Sequence, residues 1–343
     1  MAQAAQCRWL AGRGGIGHLW LTETRLADAP DRHDTAAGRE NRFLHRQAQA
    51  CDVFGGAVDT SVLESVGVNP KDVALFIPPG LKKFKLALFE RIGAYVEKLG
   101  GRIVRNDFEA VGKLPDEIIP IVGCSPEFRY VLAHWAKTGR KWIYWDRGYL
   151  RRVFATHLPK GVGMGVQMGY YRWHLNRPQM GQIYDVPDDR WRALKLDERC
   201  EVGNQLSPWN RSGKHIVIAD TLPDYWKLFS SPDWTKRAVE RLKAITKRPI
   251  VVRDKESKRP LREELANAHC LVAHGSIAAV ESVVMGCPVF VEPISAAALV
   301  GSTDLSQVET PVYPERMPWL RSLAYCQFTE DELCDGTVFK MIR

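Results

Sequence analysis

The chain has 343 residues, 45% hydrophobic and 26% charged, with a net charge of +8 at pH 7. That length exceeds one ordinary core and predicts two domains, and the composition is that of a soluble globular protein rather than a disordered or fibrous one. No apolar run long enough to span a membrane is free of charged or polar breaks, and no lysine-led signal pattern opens the chain, so cytoplasmic residence is the expectation.

Eight cysteines, at positions 7, 51, 124, 200, 270, 287, 326 and 334, contain no Cys-x-x-Cys pair. This argues against zinc-ribbon sites and for free thiols in a reducing compartment. The basic balance favours an anionic substrate or a polyanionic partner. It is unevenly spread: residues 1–70 hold seven Arg, no Lys and eight acids, and Lys71 is the first lysine. Residues 1–70 are therefore expected to be a separate N-terminal appendage. Its Gly12-Arg-Gly-Gly-Ile-Gly-His18 segment has the composition of a phosphate loop or of a flexible linker, but no buried strand precedes it.

From Asp72 the pattern is that of an α/β protein. Val73–Ile77 reads as a buried strand, Pro78-Pro-Gly80 as a turn, and Leu81–Leu99 as a helix closed by Gly100-Gly101. Strands follow at Arg102–Arg105 and Ile118–Val122, then a helix from Ser125-Pro126 to Lys137 ended by Gly139. Trp142–Trp145 forms a strand that delivers Asp146-Arg147-Gly148-Tyr149 at its carboxyl end. Residues 150–212, rich in Arg, Trp, Tyr and Pro, read as loops and short strands joining two domains, with Tyr170-Tyr-Arg-Trp-His-Leu-Asn176 the densest polar-aromatic cluster. A second α/β run comprises the strand Lys214–Ala219, a helix around Trp234–Ile245, the strand Pro249–Arg253 and a helix over Leu261–Ala268.

The stretch Cys270–Val291 says most. It predicts a buried strand, a turn at His274-Gly275-Ser276, a buried helix capped by Ser276 and closed by Gly286, and a strand opening at Pro288. Glu281 stands in that apolar helix as its one acid. A helix is expected over Trp319–Tyr325, and Thr329-Glu-Asp-Glu332 is a capping box for a last one. Strands alternating with helices imply a mostly parallel sheet with helices on both faces, and the fold class expected is α/β with two Rossmann-like domains facing a cleft. The boundaries expected are 71–212, 213–310, and 311–343 as C-terminal helices packing back on the first domain.

Ligands of open parallel sheets bind at the carboxyl ends of the strands. Arg253, Lys255 and the His274-Gly275-Ser276 turn share one such edge. Two cations with the free N–H groups of a helix start suit a diphosphate. Against this, Arg253 and Lys255 are equally the start of a solvated basic run with Lys258 and Arg259, and Glu281 could simply point to solvent.

The order Arg-x-Lys, Pro-Leu with a helix, then Leu-Val-x-His-Gly-Ser-x-x-Ala-x-Glu-x-x-x-x-Gly-x-Pro-Val, over roughly residues 214–292, resembles the donor half of GT-B-fold glycosyltransferases, closest in pattern to capsule-type and phage-encoded members. The resemblance implies two Rossmann-like domains, an acceptor domain over 71–212 and a donor domain over 213–310. It also implies a nucleoside-diphosphate sugar as donor, no required cofactor or metal, and transfer of a hexosyl or pentosyl group to an acceptor hydroxyl. By the same resemblance His274, Gly275 and Ser276 fall at the phosphate turn and Glu281 at the acid that meets ribose or sugar hydroxyls, with Arg253 and Lys255 as counterions.

Asp146, at a strand end facing the presumed cleft, is the candidate general base, the alternative being an acid that caps its own turn or pairs with a neighbouring arginine. Arg147, Tyr149, Arg172, His174 and Asn176 are the candidate acceptor-binding residues. Basic residues interleaved with aromatics could track nucleic acid, and the phage-encoded members make a hydroxymethylated base in DNA an acceptor. A surface polysaccharide or lipid-linked glycan is the alternative acceptor. A sugar-nucleotide epimerase or hydrolase, or a non-enzymatic nucleic-acid-binding accessory protein, are the alternative classes.

Overall fold

A computed structural model describes residues 67–77, 81, 83–105, 107, 110, 113–123, 139–150, 154–157, 164–167, 169–194, 206–220, 233–254, 257 and 259–343. The Gly12–His18 loop, the helix expected from Ser125, and Lys255 lie outside the described residues. Both large sheets belong to one compact unit, Ala57–Phe154 with Val166–Arg343.

The first sheet is built from β1 (Val73–Ile77), β2 (Arg102–Arg105), β3 (Ile119–Gly123) and β4 (Ile143–Arg147), with α1 (Lys83–Lys98) after β1. Two short strands, β5 (Phe154–His157) and β6 (Met164–Gln167), pair with each other in a separate two-stranded sheet, and β7 (Tyr171–Leu175) returns to the first sheet. The short helix α2 (Asp189–Ala193) precedes the second sheet. That sheet consists of β8 (His215–Ala219), β9 (Ile250–Arg253), β10 (Ala268–Ala273) and β11 (Val289–Val291), connected through α3 (Trp234–Ile245), α4 (Leu261–Leu265) and α5 (Ile277–Val284). The chain continues with α6 (Met317–Tyr325), β12 (Gln327–Phe328), α7 (Glu330–Cys334) and α8 (Thr337–Met341).

The first sheet has the order β12-β7-β4-β3-β1-β2. Its members β1 to β4 are parallel, but β7 runs antiparallel to β4 and β12 antiparallel to β7. The mostly parallel sheet expected from the sequence is thus extended by an antiparallel edge. The polar-aromatic cluster, in the segment read as loops and short strands joining two domains, is β7 itself, a member of the first sheet. Its alternation explains why: Tyr171 and Trp173 face one apolar core with Trp145 and Phe89, while Arg172 and His174 point to the opposite, equally buried face. A strand buried on both faces with polar residues on one of them hides its period of two.

The second sheet, β11-β10-β8-β9, is wholly parallel. Alternation again assigns its faces. Ile216, Ile218, Cys270, Val272 and Phe290 pack against Trp234, Ala238 and Leu242 of α3. Val217, Leu271, Ala273 and Val289 pack against Leu261 and Leu265 of α4 and Val280, Val283 and Val284 of α5. The helix expected over Leu261–Ala268 ends at Leu265, because Ala268 already opens β10 opposite His215. There the buried strand ladder overrides the helix propensity of Ala266 and Ala268.

Met180, Tyr149, Leu150 and Tyr170 join the α4–α5 side of this core, together with Trp319, Leu320 and Leu323 of α6. Tyr325, Phe328, Leu333, Val338, Phe339 and Ile342 instead complete the core between the first sheet and α1. The capping box at Thr329 and Glu332 starts α7 as the sequence predicts. The thiols of Cys270, Cys287 and Cys326 are free and buried, and burial raises the pKa of each.

Candidate functional site

The site is set by strand order. The chain passes from β8 to β9 on one side, then crosses back to β10 on the other, so connections leave β8 and β10 in opposite directions. A crevice forms at such a switch point, outside the carboxyl ends of the strands. Register places Ala219, Arg253, Ala273 and Val291 level on that edge. His274-Gly275-Ser276 therefore stands at the switch point.

Ser276 caps α5 through its Oγ, which accepts from the Ala278 N–H at 3.2 Å. Gly286, at φ +81, closes the helix as a C-cap, with Cys287 N–H bonded to Ser282 O and Gly286 N–H to Val283 O. Capped at both ends and buried along most of its length, α5 holds its first turn rigidly beside the crevice. Glu281 is buried in this helix rather than directed to solvent.

His274 is 2% exposed. Its ring meets Trp234 edge-on at 5.7 Å between centroids, and its carbonyl accepts from the Glu292 N–H at 3.2 Å. Burial lowers its pKa, opposed by Glu292 and reinforced by Arg237, so the imidazole at the turn is neutral at pH 7. Trp234 Nε1 donates to Glu292 Oε1 at 2.7 Å. Beside this pair lies a cavity of about 300 Å³ between α3 and the ends of β10 and β11, with a floor of Val272, Phe290 and Ala238 and a rim of Arg237, Arg241, Glu292 and Thr303.

Arg253 does not join the turn. Its Nη1 is engaged by Glu264 Oε2 at 2.8 Å, Arg259 O at 2.7 Å and Ser257 Oγ at 3.2 Å. It lies on β9, two strands from β10, or roughly 10 Å at the usual strand spacing. Held by the buried Glu264 carboxylate, its guanidinium ties the β9–α4 connection.

On the first sheet the structure gathers four of the predicted residues into one buried network. Asp146 Oδ2 accepts from Arg172 Nη2 at 2.8 Å and Tyr144 OH at 3.2 Å, and its Oδ1 accepts from the Arg147 N–H at 2.8 Å. Arg172, 4% exposed, also donates to Arg147 O and Pro178 O, and lies over the rings of Tyr144 and Tyr149. Tyr149 OH accepts from the Met180 N–H at 2.6 Å and is hydrogen-bonded to His174 Nε2 at 2.7 Å.

The cause of this network is pairing: Asp146 stands opposite Arg172 and Tyr144 opposite His174 across β4 and β7, so all four side chains share one face. Tyr149, Arg172 and His174 are therefore buried contacts of one another rather than an open acceptor surface. Asn176 is not part of the group. Its Oδ1 accepts from the Trp142 N–H at the opposite, amino end of β4, and its φ of +58 ends β7. It locks a strand end, away from the Asp146–Arg172 pair.

The sequence reading missed Gln179, Trp234, Arg237 and Glu292. Trp234 and Arg237 sit on a helix whose apolar face reads as core, and Gln179 follows β7 in a segment without periodicity. Only the partners assembled by folding mark them.

His174 makes the network sensitive to acid. Its pKa is held well below 6.5 by burial, with Arg172 and Arg177 adding repulsion of the protonated form. The unfolded chain then binds a proton that the folded one refuses, so stability is full above about pH 6.5 and falls as pH drops below it. His274 acts in the same direction. Between pH 7.5 and 5, His174→Gln is expected to remove roughly 1–2 kcal/mol of the wild-type loss, read from urea unfolding at each pH.

No protein-family model and no curated protein matches the chain. Among solved structures it is similar to a KpsC beta Kdo 2,4 transferase of Thermosulfurimonas dismutans, 12% identical over 75% of this chain and 91% of that one, with a TM-score of 0.38. It is also similar to a KpsC beta Kdo 2,7 transferase of the same organism, 11% identical over 79% of this chain and 98% of that one, with a TM-score of 0.37.

Proposed function

We propose that the chain is a glycosyltransferase of GT-B architecture that takes its sugar from a nucleoside-diphosphate donor. The observation that carries this reading is the serine-capped start of α5 at the switch point of an all-parallel sheet. A helix N-terminus there presents N–H groups and about half a positive charge to an anion. We assign the diphosphate to His274, Gly275 and Ser276. The ring portion of the nucleotide goes to the adjoining cavity, whose apolar floor and arginine rim suit a planar group attached to phosphate. As the sugar bond breaks, charge develops on the leaving diphosphate, and the helix dipole with Arg237 and Arg241 would oppose it.

Asp146 remains our candidate base for the acceptor hydroxyl. To serve, one of its oxygens must face the acceptor while Arg172 holds the other. The acceptor we infer is a carbohydrate hydroxyl. Of the candidate acceptor residues, Tyr149, Arg172 and His174 are buried, which argues against their forming an open nucleic-acid track.

Thermal denaturation with ADP, CDP, GDP and UDP tests the donor assignment. A ligand at a hundredfold its dissociation constant stabilises the native state by about 2.7 kcal/mol, so at least one of the four is expected to raise the midpoint. No shift with any of them, and no release of nucleoside diphosphate from the corresponding sugar donors, would reject it.

A further inference from the structure

Gln179 is fully buried, yet it belongs to neither strand nor helix. Its Nε2 donates to Gly275 O at 2.5 Å and its Oε1 accepts from the Ala296 N–H at 2.9 Å. A carbonyl can only accept and an N–H can only donate, so these two partners fix the orientation of the amide. The residues on either side of Gln179 are tied to the other network: Pro178 O accepts from Arg172 Nε, and Met180 N–H donates to Tyr149 OH. One segment thus reaches from the Asp146–Arg172 pair to the turn before α5.

The consequence lies in the peptide bond itself. Gly275 C=O and Ser276 N–H belong to one planar trans peptide and point in opposite directions. Holding the carbonyl toward Gln179 directs the Ser276 N–H to the other side of the plane. A flipped plane would put a carbonyl oxygen where an N–H is needed, and glycine at 275 removes the steric barrier to such a flip. We infer that Gln179 is a positioning residue for anion binding, holding the Gly275–Ser276 peptide so that its N–H faces the ligand. It thereby couples that turn to the segment carrying the Asp146–Arg172 pair. The inference rests on the donor-site reading above.

The test compares the wild type with Gln179→Glu and Gln179→Met. Glutamate keeps the size of glutamine and an oxygen for the Ala296 N–H. As a carboxylate it cannot donate to Gly275 O, and when protonated it can. Binding of inorganic pyrophosphate and of ADP, CDP, GDP and UDP is measured by calorimetry, and exchange of the amides around Ser276 is followed without ligand. At about pH 8.5 both variants are expected to bind roughly tenfold more weakly and to exchange these amides roughly tenfold faster, as suits one lost hydrogen bond. At about pH 5 Gln179→Glu is expected to approach the wild type measured at that pH, whereas Gln179→Met does not.

Equal affinity and equal exchange in all three proteins would overturn the inference, and so would a loss in Gln179→Glu that protonation does not restore. If the wild type binds pyrophosphate but no nucleoside diphosphate, the sugar-nucleotide reading fails while the comparison of variants on pyrophosphate still decides the role of Gln179. A wild type that binds neither overturns both.

Discussion

Asp146→Asn is expected to lower the free energy of unfolding by about 2 kcal/mol, short of the 3–5 kcal/mol typical when a fully buried pair loses one partner. The reason is Arg172, whose side chain is 5% exposed against 20% for Asp146. With its oxygen in the Oδ2 place asparagine still accepts from Arg172 Nη2 and Tyr144 OH, but its NH2 then faces the Arg147 N–H and cannot accept from it. A buried guanidinium is left without its counter-charge. Removing the guanidinium as well should recover part of the loss, so Asp146→Asn with Arg172→Met is expected to be less destabilised than the two single changes summed, by about 1 kcal/mol or more. Urea unfolding of the four proteins measures this. The same variant separates the two roles of Asp146. Assayed well below its melting temperature, abolished transfer with intact donor binding marks the base. Retained transfer in a destabilised protein leaves Asp146 as a clamp on β7 alone.

Gly286→Ala should be the most damaging change near the turn, costing about 3 kcal/mol. Two effects add. The residue sits at φ +81, where an L side chain is disfavoured by roughly 1–2 kcal/mol. An added Cβ would also stand 2.1 Å from Pro208 O and 2.9 Å from Pro208 C. Both are backbone atoms, and Asn210 N–H is bonded to Gly286 O at 2.7 Å, so the loop cannot simply withdraw. Overpacking of this kind costs typically 1–3 kcal/mol. Gly139 is the control. It has φ +70, but among the described residues an added Cβ there would meet nothing within 4 Å, so Gly139→Ala should cost only the conformational part, about 1 kcal/mol. A guanidinium midpoint for Gly286→Ala no lower than that of Gly139→Ala would show that Pro208 yields.

Much of this architecture is legible from residue patterns. β8, β10 and β11 are continuous apolar runs, and such runs need cover on both faces. Together with intervening helical periodicity they imply a parallel sheet. Ser276 and Gly286 mark the two ends of α5 because each answers a local need: an acceptor for a first-turn N–H, and a residue tolerant of positive φ. Thr329 and Glu332 are legible for the same reason. These signals depend on neighbours a few residues apart, so the chain carries them without its fold.

What β7 does is different in kind. Arg172 and His174 look like exposed ligand-binding residues until β4 lies beside them. Only then do Asp146 and Tyr149 turn them into an internal network. Arg253 likewise looks like a free cation at a strand end until Glu264 arrives from α4.

Residue order alone is enough for the α/β class, for most strand and helix starts, and for the turn at His274-Gly275-Ser276 between β10 and α5. Which charges are available at that turn depends on the folded chain. A polar group is engaged or free according to partners distant in sequence, such as Arg172 for Asp146 or Gly275 for Gln179, and no local pattern encodes a partner that only folding brings within 3 Å.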